Sequence, residues 1–219
     1  MSLGTVVRRA FCAVLVMLAA GAALACLRLG TPWAPRHTGE EFGIAPYVSP
    51  LDTDGDGIDD QSDILASART YVATNPSYGS AYYAGGWPDD GRGVCTDVVA
   101  YALLGAGYDV RELLDADVRA NPRAYAIDVP DANIDYRRVP NLLVWLSRNA
   151  TSLTCDVDAI DQWQGGDVVV WDGHIGIVSD VRDAAGRPFV IHHWGVAQPS
   201  YEEDCLASWG PVIGHFRIG

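Results

Sequence analysis

Cys95 stands in the stretch "GRGVCTDVVAYALLGAG", behind a Gly-rich turn and directly ahead of an apolar run. A thiol becomes a useful nucleophile when its thiolate is stabilised, and the start of a helix supplies unpaired N–H groups and the positive end of the peptide dipole. A neighbouring imidazole adds to this and can take the proton. His174 is the first residue after an Asp-Gly pair, at a strand end, and Gly176 on the same face leaves room beside it. On the following strand His192 and His193 point to opposite faces. A turn centred on residue 183, within "VRDAAGR", sets His174 directly opposite His192, with Cβ atoms about 5 Å apart. His192 is then favoured over His193 as the group orienting His174, and a slip of one residue reverses the choice. The plainer reading makes Cys95 a small buried hydrophobe and the histidines ordinary core or surface residues. A Cys-His-His zinc site lacks the paired short spacings that zinc motifs show.

The stretch "DTDGDGIDDQSD" carries a different chemistry. Calcium loops place oxygen ligands at positions 1, 3, 5, 7, 9 and 12 with Gly at 6. From Asp52 that register gives Asp54, Asp56, the Ile58 carbonyl, Asp60 and Asp63, with Gly57 at the turn. The last position holds the shorter Asp in place of the usual bidentate Glu. The competing reading is an acidic, Gly-rich linker that stays solvated.

These groups need elements to hold them. Apolar spacing predicts helices over 62–74, from Cys95 to Gly105/Gly107, over about 110–118, and after Pro140. From residue 151 the pattern turns to strands: "DVVVW", "HIGIVSDV", "PFVIHHW" and "PVIGHFRI". Asp172-Gly173 between the first two suits a two-residue hairpin with positive φ at both turn positions. Helices first and an antiparallel sheet after them predict an α+β domain.

The chain has 219 residues, 49% of them hydrophobic, enough for one domain with a core and a tail. Its net charge is −13, it has no Lys and every fixed positive charge is Arg; this acidic balance argues against a nucleic-acid partner. Arg8 and Arg9 precede the apolar run "AFCAVLVMLAAGAALACL", which ends on Ala23-Leu24-Ala25 and meets Arg28. Residues 1–28 therefore read as a signal peptide or membrane anchor, with lipidation of Cys26 as a third reading. All three export the domain, and any membrane attachment runs through this segment alone. Residues 29–49 read as a tether, with the domain at 50–219. Export favours disulfides, and of Cys95, Cys155 and Cys205 the expected pair is Cys155–Cys205, leaving Cys95 free.

"YYAGGWPDDGRGVCTDVV", "GDVVVWDGHIGIVSD" and "VIHHWG" resemble the NlpC-type and CHAP-type papain-like cell-wall hydrolases. "SAYYAGG", "GVCTDVV", "NIDYRRVPNL", "HIGIVSD" and "GHFR" more closely resemble the bacterial domain of unknown function 1287, over about residues 50–218. The resemblance implies a papain-like α+β fold with N-terminal helices packed on a C-terminal antiparallel sheet. It implies Cys95 as nucleophile, His174 as general base, His192 as the residue orienting it, and Tyr82 beside the nucleophile. NlpC-type enzymes usually carry "D-C-S-G" where this chain has Val94-Cys95-Thr96-Asp97, so a preference for a free peptide amino end is not implied. Arg137, in "NIDYRR", either holds a substrate carboxylate or forms a structural Asp–Arg bridge ahead of the Pro140 helix. The expectation is an exported cysteine peptidase or amidase acting on an amide bond of peptidoglycan, with structural calcium. The competing expectation is a catalytically silent cell-envelope binding module with a calcium-stabilised loop.

Overall fold

Helix α1, Asp60–Ala73, opens on Asp59, whose carboxylate accepts from the Ser62 backbone N–H at 3.3 Å and the Ser62 hydroxyl at 2.6 Å. It buries Ile64 and Ala68 against α2, Cys95–Gly105, whose Val98, Val99, Ala102 and Leu103 are fully enclosed. Gly107, at φ +84°, turns the chain out of α2. Helix α3, Val110–Ala120, is capped by Asp109, and α4, Val139–Asn149, carries Pro140 in its first turn. These bounds come from a computed structural model, which describes residues 34–219. The signal or anchor segment expected at 1–28 lies outside the described residues.

Two short strands, β1 Ser77–Tyr78 and β2 Arg92–Gly93, pair in parallel just ahead of α2. The main sheet follows: β3 Thr151–Ser152, β4 Val168–Trp171, β5 His174–Arg182, β6 Pro188–Ile191, β7 Glu202–Glu203 and β8 Val212–Arg217. Its order is β3-β8-β4-β5-β6-β7, antiparallel throughout, so the molecule is a mixed α+β fold. Alternation divides the sheet. Val168, Val170, Ile175, Ile177 and Ile191 pack with the helices, while Val169, Trp171, Val178 and Val190 form a second cluster with Trp163, Cys205 and Leu206.

The structure departs from the sequence reading in four places. Trp171 pairs with His174 across a two-residue turn, but only Gly173 has positive φ, at +70°. Ile177 faces Ile191 and Val178 faces Val190, with the register broken between Val178 and Arg182, so the β5–β6 turn is not centred on 183. Residues 34–49 are not a free tether over their described length. His37 bridges Arg182 through backbone hydrogen bonds of 2.9 Å in both directions, Ile44 is buried, and the Arg217 guanidinium lies 4.3 Å from the Tyr47 ring centroid. The expected Cys155–Cys205 disulfide is absent: Cys155 is exposed and Cys205 is enclosed in the second cluster, so both thiols are free.

Candidate active site

Cys95 opens α2, where the first N–H groups of a helix have no intrahelical partner. Its half-buried thiol lies against the backbone N–H groups of Ile175 and Thr96, which favour the thiolate. Burial outweighs them and pushes the thiol up to about 11. The helix start is clamped by Asp97, whose Oδ2 accepts from the Val94 N–H at 2.8 Å and from Arg137 Nη2 at 2.9 Å, while Oδ1 takes Arg137 Nε at 2.7 Å. Both side chains are sealed from water. A third Arg137 donor reaches the Ala81 carbonyl at 2.8 Å. The guanidinium is therefore spent on structure, and Arg137 is not a free holder of a substrate carboxylate. It is the structural bridge, made to Asp97 rather than to the adjacent Asp135.

Ile175, which meets the thiol, directly follows His174. The His174 Nε2 lies 2.8 Å from His192 Nδ1, and His192 Nε2 lies 3.2 Å from Glu203 Oε2. Trp194 Nε1–H also donates to Glu203 Oε2, at 3.0 Å. The His174 ring stacks on Trp209 with centroids 4.5 Å apart, and Trp171 flanks it. His174 Nδ1 has no protein partner among the described residues and is not sealed from solvent. With Glu203 ionised, one set of protons satisfies the row. His192 donates from Nε2 to the carboxylate and accepts on Nδ1 from His174 Nε2–H, so the free Nδ1 of His174 carries a lone pair. Among the described residues the Cys95 thiol makes no hydrogen bond to an imidazole. Burial lowers both His174 and His192 to about 3 and raises Glu203 to about 7. The Cys95 thiol and both imidazoles therefore rest neutral.

His174 and His192 are brought together, though not as a directly opposed pair. Gly176 lies beside His192, where an added Cβ would come within 3.1 Å of the His192 Cβ, and His174 reaches across on the diagonal. His193 points the other way, between Tyr78 and Tyr201 at centroid distances of 5.2 and 5.0 Å. Tyr82 is 59% exposed, its hydroxyl accepting from Asn133 Nδ2 at 3.1 Å, and it has no hydrogen bond or ring contact to Cys95 or His174. A Cys95–His174–His192 zinc centre is not formed, since the two facing imidazole nitrogens are spent on each other. Two cavities of about 470 and 770 Å³ flank α1, and neither is lined by Cys95 or His174.

Glu203, Trp194 and Trp209 did not emerge from the sequence; Cys205 did so only as a disulfide partner, and its Sγ instead lies 3.5 Å from His192 Nε2. Glu203 comes from a two-residue strand whose pairing to Val190 leaves no periodic signal. The motif histidine His215 and Arg217 serve the fold instead. Both bind the buried Asp167, at 2.9 Å and at 2.7 and 2.8 Å, and His215 stacks on Trp163.

A mixed α+β fold with a cysteine at a helix mouth and a His-His-Glu row on the adjoining strands defines the architecture. The chain belongs to the family described as domain of unknown function (DUF1287), whose model matches residues 65–218. It is similar to the uncharacterized protein YijF of Escherichia coli (strain K12), 39% identical over 167 residues that cover 70% of this chain and 80% of that one. No solved structure matches it.

Proposed function

We propose that the chain is an exported cysteine hydrolase, a peptidase or amidase of papain-like (NlpC-type) architecture. The observation that carries this reading is the His174–His192–Glu203 row on the strands against which the Cys95 helix packs: His174 has its inner nitrogen tied to His192 and its outer nitrogen free. His174 Nδ1 takes the thiol proton as Sγ attacks an amide carbonyl carbon, and the new oxyanion faces the Cys95 N–H. The imidazolium then protonates the leaving nitrogen, the C–N bond breaks and a thioester remains. Water, deprotonated by the same imidazole, attacks the thioester, and the sulfur leaves and regains its proton. A thiol that starts neutral suits transfer during attack rather than a standing ion pair.

The substrate class, an amide bond of cell-wall peptidoglycan, rests on the resemblance to NlpC-type and CHAP-type wall hydrolases and on the export pattern of residues 1–28. It is tested by digesting purified peptidoglycan with wild type and Cys95→Ala. New pairs of amine and carboxyl ends from wild type alone support the reading, and fragments released equally by both overturn it.

A second reading, a silent cell-envelope binding module, is favoured by the neutral resting thiol and the depressed imidazoles. Wild type that binds peptidoglycan in a pull-down, releases no fragments, and binds equally well as Cys95→Ala supports this alternative.

A further inference from the structure

We propose that residues 52–63 form a calcium site made by one carboxylate oxygen each from Asp52, Asp54, Asp56 and Asp63 and by the backbone carbonyl of Ile58. The carboxylates of Asp52, Asp54 and Asp56 are exposed and converge, with an oxygen of each within 4.8 Å of the others. Such a cluster is common at surfaces without any ion. Asp63 is what sets this one apart. It is 7% exposed, and its Oδ2 is sealed from solvent with no hydrogen-bond partner. The charges that bear on it are those of Asp56, Asp54, Asp52 and Asp59. An unpaired carboxylate oxygen buried beside like charges is unfavourable until a cation joins it.

All the donors are hard oxygens, with no nitrogen or sulfur among them, which suits calcium rather than zinc or copper. Counting from Asp52, the five donors fall at positions 1, 3, 5, 7 and 12, and Gly57 at position 6 has φ +94°. Asp60, at position 9, is excluded. Its carboxylate accepts from the Thr53 N–H at 2.7 Å, the Thr53 hydroxyl at 2.8 Å and the Tyr108 hydroxyl, and it is 1% exposed. Position 9 commonly ligates through water, so the loss of that side chain leaves the set workable. The loop leans on the turn after α2, where a Cβ on Gly107 would lie 3.2 Å from Asp54. A bound ion would tie the start of α1 to the far end of the helix that carries Cys95. The inference does not depend on the hydrolase reading.

The test is calcium titration of chelator-stripped protein by calorimetry and thermal melting. One ion per chain with Kd between about 10⁻⁵ and 10⁻³ M, and a Tm several degrees higher in millimolar calcium, are expected. Asp54→Ala and Asp63→Asn should lose the shift, while Asp128→Asn, on a distant loop, keeps it. Without calcium, Asp63→Asn should melt above wild type because a buried like charge is gone. No heat of binding in wild type, or a calcium shift in Asp63→Asn equal to that of wild type, overturns the proposal.

Discussion

His174, His192 and Glu203 act as one row, because each ring nitrogen spent inside it fixes what the next can do. Only an ionised Glu203 accepts the His192 Nε2–H in the arrangement that leaves a lone pair on His174 Nδ1. Burial sets that ionisation near pH 7. In the proposed hydrolase, kcat/KM should therefore rise as pH rises through about 7. Glu203→Gln should flatten that limb and lower the rate by up to about 10²-fold, and an unchanged pH–rate profile would contradict the relay. Stability should move the opposite way. A carboxyl raised from 4.5 to about 7 stabilises the fold fully below the unfolded value and loses that contribution as pH rises through 7. Glu203→Gln should then gain stability over wild type between pH 5 and pH 8, read by urea denaturation at both. The depressed histidines contribute fully above 6.5 and lose it as pH falls toward 3. Cys95 and His174 were legible because a helix start and a hairpin end are written in local sequence. Glu203 was not, because its place depends on the long return from β6 to β7.

At the scale of elements, the Cys95 helix is positioned by one buried ion pair. Removing one partner of such a pair leaves a charge without compensation, so Arg137→Leu should destabilise the protein by about 3 to 5 kcal/mol in chemical denaturation. A loss under 1 kcal/mol would show that Asp97 finds another partner. The larger helices and strands were readable: the expected helix at 62–74 is Asp60–Ala73, and the strand "HIGIVSDV" is His174–Arg182. Their apolar spacing and their Gly, Asp and Pro boundaries are local signals. The register between β5 and β6 was not readable, because the irregularity between Val178 and Arg182 shifts the pairing without changing which face each residue takes. That explains how the choice of His192 could follow from parity while the direct opposition of His174 and His192 did not.

Across the whole molecule, the N-terminal end of the described chain reaches the strand that carries Glu203. Arg36 Nη1 binds Glu202 at 2.8 Å, next to Glu203, and Arg69 and Ser179 share the same carboxylate at 2.8 and 2.7 Å. Composition and Pro/Gly content gave this N-terminal segment the look of a tether, because its contacts are all long-range. Protein beginning at residue 50 should melt several degrees below protein beginning at residue 34, and equal melting temperatures would mean that the segment contributes nothing. In the proposed hydrolase, the Cys95 sulfur bonds covalently to an amide carbonyl of the substrate. Intact-mass spectrometry of protein quenched in acid during incubation with peptidoglycan peptides tests it most directly. The expected result is an acyl adduct mapped to Cys95 in wild type and none on Cys95→Ala; wild type that neither carries an adduct nor releases product, or Cys95→Ala that still cleaves, would contradict it.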